Sequence, residues 1–451
     1  MTKGFTLKAS EPMVNGFDPS DIERLPPRTR EQVGDRERLL GPGYRLFYEE
    51  PVEIVRGAGT LLYDADGNDY LDVYNNVTSV GHCHPYVVEA IHRQLTTLNT
   101  NTRYLQQSIL GYSEQFLGTM PDELGHVMFT CTGSEANDLA MRVARYYTGN
   151  QGIIVTAGAY HGLTADVSAF SPSLGVGVPL GPHVRTITAP NRLRHGGDDD
   201  VVATMVREMR EAIADLQRHG FGIAAFIADT IFSSDGIYAD PAGFLQPVVD
   251  AVHDAGGLFI ADEVQPGFGR TGRHWWGFQR HGVVPDIMTT GKPMGNGIPI
   301  AAAAFRPALL VEFGRNIRYF NTFGGNSVSI AAAQAVLDVI VDEGLIDNAD
   351  KVGSYIMSEI ATMAGGYEQI AEVRGAGLFV GVDVVTDRDS NTPDGEATLR
   401  VVNHMRRRRV LLSASGPRGS VLKIRPPLPF SIADADRMLE NLAVVLREEL
   451  H

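Results

Sequence analysis

The middle of the chain alternates short apolar runs with longer amphipathic segments. The apolar runs cover residues 127–129, 153–156, 184–187, 224–228, 258–261 and 287–288. Between them, apolar residues recur at helical spacing on two segments: Ala136, Leu139, Ala140, Val143, Ala144 and Tyr147 on the first, and Met205, Met209, Ile213 and Leu216 on the second. This alternation predicts an α/β fold, with a mostly parallel sheet covered by helices on both faces.

The N-terminal part of the chain has a different pattern. Residues 1–45 are polar and rich in proline, which predicts an arm with a short helix. Residues 52–73 alternate apolar and polar positions around a turn at residues 66–68, and this predicts a small antiparallel unit. Pro85 is expected to open a helix with an apolar face made of Val88, Ile91, Leu95 and Leu98.

The C-terminal part predicts a smaller α+β domain. Its pattern indicates a helix over residues 331–341, strands near 373–385 and 410–412, a loop at 387–395 and a last helix over 432–450. We expect the N-terminal region to join this domain in space. The predicted regions are an N-terminal arm with part of the small domain (1–75), a large cofactor-binding domain (76–330) and a C-terminal small domain (331–451).

Charge and cysteine content exclude several classes of partner. The chain has 39 Lys and Arg against 54 Asp and Glu, a formal net charge of -15. An acidic surface repels phosphate backbones and anionic lipid, so we expect neither a nucleic-acid nor a membrane partner. The 2 cysteines are too few for a disulfide framework. With no signal-peptide pattern and no apolar run of about 18 residues, the sequence predicts a cytoplasmic protein.

Small and polar residues follow several of the apolar runs. They are Gly133-Ser134, Tyr160-His161, Asp229, Asp262-Glu263 and Lys292. Because ligands of a parallel α/β sheet bind beyond the carboxyl ends of its strands, we expect these residues to share one site. An anion cradle, an aromatic ring, acids and a lysine are what a phosphorylated pyridine aldehyde requires. The sequence therefore predicts pyridoxal 5'-phosphate as cofactor.

Three of these positions carry the chemistry. Ser134 stands where a strand passes into a helix, so the helix N-terminus would bind a phosphate; a simple N-cap serine is the alternative. Asp262 would keep a pyridine nitrogen protonated, unless it is an ordinary turn residue. Lys292 would have its pKa lowered by burial and would form a Schiff base with the aldehyde.

Other motifs compete with this interpretation. Residues 267–272 match the dinucleotide fingerprint G-x-G-x-x-G, but Arg, His and two Trp residues follow where a helix of small residues should begin. A Walker loop is excluded because Pro293 follows Lys292. His82 and His84 could suggest a metal site, yet no third ligand lies near them in sequence, and a structural or substrate-loop role is favoured.

Over nearly its whole length the chain resembles the class III aminotransferases, which are fold-type I enzymes dependent on pyridoxal 5'-phosphate. The matching segments are residues 80–85 (VGHCHP), 132–137 (TGSEAN), 159–162 (AYHG), 261–265 (ADEVQ), 267–272 (GFGRTG), 291–292 (GK) and 321–325 (NTFGG). The resemblance implies a large domain with a seven-stranded sheet between helices, a smaller α+β domain, and a homodimer with active sites at the subunit interface.

The resemblance also implies a role for each matching residue. Lys292 would hold the cofactor and shuttle protons, and Asp262 would pair with the pyridine nitrogen. The remaining contacts would be those of Gly133 and Ser134 with the phosphate, of Tyr160 and Val264 with the two faces of the ring, of Gln265 with the 3'-oxygen, and of Thr322 with the phosphate of the neighbouring subunit's cofactor.

Two positions depart from the pattern of amino-acid transaminases. Most class III aminotransferases have Glu-Pro where this chain has Asp229-Thr230. Many also have an arginine for the α-carboxylate of the substrate where this chain has Lys423. A transaminase uses that acid–arginine pair to accept two different substrates in one site, so its loss favours another reaction.

The chain resembles more closely the alanine–glyoxylate aminotransferase-like branch, which includes ethanolamine-phosphate phospho-lyases. The supporting segments are residues 75–77 (NNV), 99–105 (NTNTRYL), 321–326 (NTFGGN), 410–414 (VLLSA) and 422–426 (LKIRP). This implies elimination of phosphate and ammonia from a phosphorylated amine such as O-phosphoethanolamine. Lys423 would bind the substrate phosphate, with Arg103 as second candidate and Asn76 as a neutral donor. Asp229 is a further candidate for contact with the substrate, and whether it pairs with Lys423 stays open. The alternatives are an ω-aminotransferase that uses pyruvate or another 2-oxo acid, and a fold of this type without activity.

Overall fold

Helices and strands follow one another along most of the chain. The computed structural model describes residues 13–450, with side chains at every position but 199. The strands are β1 (Ile54–Ala58), β2 (Leu61–Asp64), β3 (Asp69–Asp72), β4 (His126–Thr130), β5 (Gly152–Thr156), β6 (Val184–Ile187), β7 (Ile223–Asp229), β8 (Leu258–Asp262), β9 (Ile287–Thr290), β10 (Ala301–Phe305), β11 (Ile370–Ala376), β12 (Phe379–Val384), β13 (Val410–Leu411), β14 (Ser413–Ser415) and β15 (Val421–Ile424).

The helices lie between these strands and at both ends of the described chain. They are α1 (Pro27–Leu40), α2 (Pro85–Thr97), α3 (Gln107–Leu117), α4 (Gly133–Thr148), α5 (Ala165–Ser168), α6 (Arg192–His195), α7 (Asp198–Arg218), α8 (Gln246–Asp254), α9 (Gly277–Arg280), α10 (Pro307–Asn316), α11 (Ser327–Asp342), α12 (Leu345–Ala364), α13 (Gly395–Arg407) and α14 (Ile432–Glu449). Short 3-10 helices span Pro19–Arg24 and Pro172–Leu174.

The central sheet has seven strands in the order β4-β10-β9-β8-β7-β5-β6. Neighbouring strands are parallel except at β10, which is antiparallel to both β4 and β9. The predicted α/β fold with a mostly parallel sheet is therefore confirmed. Successive side chains of the inner strands face opposite sides, so that Phe226 and Phe259 join one hydrophobic cluster while Ile227 and Ile260 join another. Both faces of the sheet are buried, as the near-continuous apolar runs predict.

Two smaller four-stranded sheets complete the fold. The first has the order β1-β2-β3-β13 and the second the order β11-β12-β15-β14. β13 pairs in parallel with β3, so the N-terminal strands and the C-terminal part of the chain share one sheet, as expected. α12 and α13 were not predicted, and both are amphipathic helices that bury one face. The domain boundaries at residues 75 and 330 stay a prediction.

The N-terminal arm contains more helix than its sequence pattern predicts. Its residues 1–12 lie outside the described residues. The part that the structure describes holds the 3-10 helix Pro19–Arg24 and α1, which has 14 residues. Pro27 stands in the first turn of α1, where the missing backbone N–H of proline has no cost. The prolines therefore initiate helices here and do not keep the arm extended.

The predicted apolar faces of two helices need correction. In α2 the buried residues are Val87 and Ala90, whereas Val88 and Leu95 are 52% and 58% exposed. In α4 the predicted face is buried apart from Tyr147, which is 55% exposed. Periodicity identifies an apolar stripe, but it does not say whether the stripe packs against the same chain or faces outward.

The competing motifs occupy structural positions. Residues 267–272 form a turn in which buried Arg270 donates to the backbone oxygens of Leu378 and Pro426, and so ties the large sheet to the C-terminal part. His82 pairs with Asp72 at 2.6 Å, and His84 pairs with Glu343 at 3.0 Å. Among residues 13–450, no helix has the length and apolar character needed to cross a membrane.

Candidate active site

A cavity of about 340 Å³ opens at the carboxyl ends of the central strands. This is within the usual range of about 300–1,000 Å³ for small-ligand sites. The predicted site residues that line it are Gly133, Ser134, Tyr160, Asp229, Asp262, Val264, Gln265 and Lys292. The structure thus brings together most of the predicted cofactor site, as the topology of a parallel sheet requires. Asn76, Arg103, Thr322 and Lys423 are not among the lining residues.

The N-terminus of α4 provides the anion cradle. Thr132 caps the helix and accepts a hydrogen bond from the Glu135 backbone N–H at 3.2 Å. A Cβ on Gly133 would lie 2.9 Å from Val264 Cγ2, so a larger residue there would displace the Val264 side chain. Because Thr132, Gly133 and Ser134 all line the cavity, the free N–H groups and the positive end of the helix dipole are available to an anion.

A network of hydrogen bonds holds Asp262, which ends β8 and is almost fully buried. Its Oδ2 accepts from His161 Nδ1 at 2.8 Å and from Asn137 Nδ2 at 3.0 Å. Thr289 Oγ1 donates to Asn137 Oδ1 at 2.6 Å and so orients that amide. Oδ1 of Asp262 accepts from the Val264 backbone N–H at 3.1 Å. Three hydrogen bonds thus fix the position of the Asp262 carboxylate, which lines the cavity.

Lys292 follows β9 and lines the cavity. Burial and the nearby positive charge of Arg425 lower the pKa of its ammonium from 10.5 to about 8, against the opposing effect of Asp262 and Asp229. A larger share of the side chain is therefore neutral near pH 7 than in an exposed lysine. The neutral amine is the form that condenses with an aldehyde.

Two further acids, Asp229 and Glu263, stand at the carboxyl ends of β7 and β8. Asp229 lines the cavity, and its carboxylate accepts from the Ile231 and Ser233 backbone N–H groups at 3.0 and 3.1 Å and from the Ser233 hydroxyl. Burial raises the pKa of this carboxyl despite these donors. Glu263 is fully buried, and burial raises its pKa to about 8. Its carboxylate accepts a hydrogen bond from Thr230 Oγ1 at 2.7 Å and so stabilises the structure behind the site.

Lys423 lies on β15, close enough to the cavity to interact with Lys292 and Asp229 electrostatically. It is 7% exposed, and its ammonium lies 5.4 Å from the centroid of the Phe379 ring. Burial, Arg425 and Lys292 lower its pKa well below 10.5, and Asp229 opposes them. Within residues 13–450, Lys423 and Asp229 form no ion pair, because the Asp229 carboxylate is directed at its own loop.

Gln265 and Asn76 form a hydrogen-bonded pair at the edge of the cavity. Gln265 Oε1 accepts from Asn76 Nδ2 at 2.9 Å and from Arg425 Nη1. Asn76 is buried, and its Oδ1 has no hydrogen-bond partner among the described residues. One N–H of the Asn76 amide is thus engaged, and the same nitrogen has a second N–H. The role of Asn76 as a neutral donor to the substrate phosphate stays a prediction.

Arg103 and Thr322 lie on the outside of the subunit. Both are exposed, and the Arg103 guanidinium lies 3.7 Å from the centroid of the Phe320 ring. A residue that contacts the neighbouring subunit's cofactor would be exposed in an isolated chain, so the role of Thr322 stays a prediction. The position of Arg103 gives no support to a contact with substrate in its own cavity.

The sequence predicts no function for three residues that contribute to the site: His161, Asn137 and Arg425. His161 directly follows Tyr160 after β5. Its place beyond a strand end predicts that it lies near the site, but not what it does there. Asn137 lies on α4 and Arg425 follows β15, and each meets its partner more than a hundred residues away. No local pattern announces such contacts.

The lining residues fit pyridoxal 5'-phosphate. A phosphate matches the N-terminus of α4, where a Cβ on Gly162 would also lie 2.4 Å from Ser134 Oγ. The Asp262 carboxylate suits the pyridine nitrogen and the Lys292 amine suits the aldehyde. Tyr160 lines the same cavity and is 38% exposed, which leaves its ring accessible for stacking.

Comparisons with known proteins agree with this fit. The family model described as Aminotransferase class-III matches residues 47–446. The chain is 41% identical to the alanine–glyoxylate aminotransferase 2-like protein of Drosophila melanogaster, over 93% of this chain and 88% of that protein. It is 36% identical to the ethanolamine-phosphate phospho-lyase homolog 1 of Caenorhabditis elegans, over 90% of this chain and 91% of that protein.

A solved structure extends the comparison to three dimensions. A phospholyase from Arthrobacter, in complex with phosphoethanolamine, superimposes with a TM-score of 0.89 and 42% sequence identity. The match covers 92% of this chain and 99% of that one. The chain therefore belongs to the class III aminotransferase family, as a fold-type I enzyme that depends on pyridoxal 5'-phosphate.

Proposed function

We propose that this protein is a phospho-lyase that eliminates phosphate and ammonia from a phosphorylated primary amine such as O-phosphoethanolamine. The observation that carries the proposal is buried Lys423, at the position where many class III aminotransferases have an arginine for a carboxylate. It lies within electrostatic reach of Lys292. Similarity to a phospholyase bound to phosphoethanolamine and to a phospho-lyase homolog supports the same substrate class.

Lys423 suits a substrate phosphate because Asp229 acts on it only electrostatically and forms no ion pair with it among the described residues. Burial and two neighbouring cations disfavour its ammonium form, and Asp229 is engaged with Ser233. A phosphate dianion close to Lys423 would restore the proton and form a charge-assisted hydrogen bond. A neutral amine substrate would leave the buried lysine without a counter-charge. The site therefore favours a substrate that brings its own negative charge.

The reaction follows from these positions. When bound, pyridoxal 5'-phosphate supplies the electron sink that spreads the charge left on a carbon after its proton is removed. Lys292 takes that proton from the carbon that bears the amine. The bond between the adjacent carbon and the phosphate oxygen then breaks. The phosphate keeps the electron pair of that bond and leaves from its position beside Lys423. Water then converts the remaining unsaturated amine into ammonia and acetaldehyde.

The proposed assembly is a homodimer, and the proposed location is the cytoplasm. Large apolar side chains that follow Arg103 and Thr322 in sequence are exposed: Leu105 is 101% exposed and Phe323 is 69% exposed. Exposed apolar side chains grouped on one surface indicate a protein contact. In a dimer formed through this surface, Thr322 would face the neighbouring subunit's cofactor. Arg103 would then be placed to meet the neighbouring subunit's substrate phosphate.

The test of the proposed function compares two lysine variants. Lys423→Met should raise the KM for O-phosphoethanolamine by about tenfold to a hundredfold, the value of a charge-assisted hydrogen bond. Lys351→Met is the matched control, because Lys351 is exposed on α12 and the same charge is lost there. Phosphate release is followed without any 2-oxo acid. Equal KM values in the two variants would rule out Lys423 as the phosphate ligand.

The second candidate is an ω-aminotransferase, favoured by the aminotransferase name of the 41% identical Drosophila relative. In that reaction the amino group would pass to pyruvate or another 2-oxo acid, and no phosphate would be released. Lys423→Arg restores the arginine expected of amino-acid transaminases. It should shift the protein toward carboxylate substrates while phosphate release falls. Alanine formation from pyruvate, measured for both proteins, separates the two candidates.

A further inference from the structure

Arg425 is a buried arginine that joins the C-terminal strands to the edge of the active site. It follows β15 and is 4% exposed. Its backbone N–H donates to the Val73 oxygen at 2.8 Å, and its Nε donates to the Tyr74 oxygen at 3.0 Å. The guanidinium lies 4.7 Å from the centroid of the Tyr74 ring and 5.5 Å from that of Phe379. These contacts hold its terminal nitrogens in a defined place.

One of those nitrogens reaches an active-site residue. Arg425 Nη1 donates to Gln265 Oε1. A guanidinium has only donors, so the atom of Gln265 that faces it must be the carbonyl oxygen. The same oxygen lies 2.9 Å from the amide nitrogen of Asn76, which must therefore donate as well. One obligate donor sets the orientation of two amides, whose oxygen and nitrogen ends are otherwise nearly equal in shape.

The orientation of Gln265 matters because this residue lines the cavity. With Oε1 engaged by two donors, only the amide N–H groups of Gln265 remain for a ligand. We propose that Arg425 is a positioning residue that keeps Gln265 a hydrogen-bond donor toward the ring oxygen of the bound cofactor. Without Arg425, Gln265 would be free to turn over and present its carbonyl oxygen, which an anionic ring oxygen repels.

This role is independent of the proposed lyase reaction. Arg425 would position Gln265 in a phospho-lyase and in an aminotransferase alike, because both use the same cofactor. It also assigns a consequence to Asn76, whose Oδ1 is left buried and without a partner among the described residues. Asn76 Oδ1 lacks a partner because the Asn76 amide is oriented so that its nitrogen donates to Gln265 Oε1, and this loss destabilises the site.

The test measures cofactor affinity in a double-mutant cycle. Cofactor-free protein is titrated with pyridoxal 5'-phosphate and the dissociation constant is read from the absorbance change. Arg425→Met should weaken binding about tenfold to a hundredfold in the otherwise unchanged protein. In a Gln265→Ala background the same change should cost at least about fivefold less, because there is no amide to orient. Equal losses in both backgrounds would overturn the proposal.

Two further variants separate orientation from charge and from misfolding. Arg425→Lys keeps an obligate cationic donor and should retain most of the affinity. Arg425→Gln offers either end of an amide and should bind the cofactor as weakly as Arg425→Met. Arg273→Gln is the matched control, because exposed Arg273 pairs with Asp350 away from the cavity. This variant should bind the cofactor with unchanged affinity.

Full affinity in Arg425→Gln, with an unchanged melting temperature, would contradict the requirement for an obligate donor. The affinity readout does not depend on turnover. Failure of phosphate release in the unchanged protein would therefore count against the lyase reaction and leave the role of Arg425 intact.

Discussion

The neutral fraction of Lys292 should govern how fast the cofactor-free protein takes up pyridoxal 5'-phosphate, and pH is the simplest way to change it. With a pKa of about 8, about one protein in ten has a neutral amine at pH 7. An amine with a pKa of 10.5 would be neutral in about one molecule in three thousand, so the site gains a factor of roughly 300. The uptake rate should rise about tenfold from pH 6 to pH 7 and level off above about pH 9.

The assay is stopped-flow mixing of cofactor-free protein with pyridoxal 5'-phosphate between about pH 6 and pH 10. The absorbance of the lysine-bound cofactor reports uptake, and Lys292→Ala should lack this phase. A small amine with an ordinary pKa is the reference, because its reaction shows how pH changes the reactivity of the cofactor itself. The rate at which this amine reacts with the cofactor should keep rising up to pH 10. A protein rate that rises in parallel with the reference through pH 10 would refute the effect of burial on Lys292.

Three further predictions address the carboxylate, the phosphate cradle and the dimer. Asp262→Asn should lower kcat about a hundredfold to a thousandfold in the phosphate-release assay while the lysine-bound absorbance remains. Gly162→Ala should weaken cofactor affinity about tenfold, because the added Cβ would lie 2.4 Å from Ser134 Oγ and the backbone φ is 140°. Gly197→Ala is the control for backbone strain alone, because Gly197 has a φ of 116° and no atom near the position of a Cβ. The variants Lys292→Ala and Thr322→Glu should each be inactive alone. When the two variants are refolded together, about a quarter of the activity should return. No recovery would place Thr322 in the site of its own subunit.

The central sheet could be predicted because its strands are buried on both faces. Such strands appear in the sequence as compact apolar runs, and the residues that follow them share one edge of the sheet. Asp262 and Lys292 were found in this way, at the ends of β8 and β9. β10 was missed because its run of four alanines, 301–304, has little hydrophobic contrast with its surroundings.

The contacts that tune the site could not be predicted. Asp262 depends on His161 and Asn137, and Gln265 depends on Arg425, which is 160 positions away in sequence. Such partners are set by strand order and helix packing, which local patterns do not specify. The error in the predicted face of α2 has a related cause, since Val88 is as apolar as a core residue and yet 52% exposed, whereas Ile91 of the same face packs against the core.

The most direct test of the proposed reaction offers the protein both routes at once. The purified, cofactor-loaded protein receives O-phosphoethanolamine and pyruvate together, and phosphate, ammonia and alanine are measured in the same sample. We predict equal amounts of phosphate and ammonia, with little alanine. Alanine formed at the rate of amine consumption, with no release of phosphate, would contradict the assignment of this chain as a phospho-lyase.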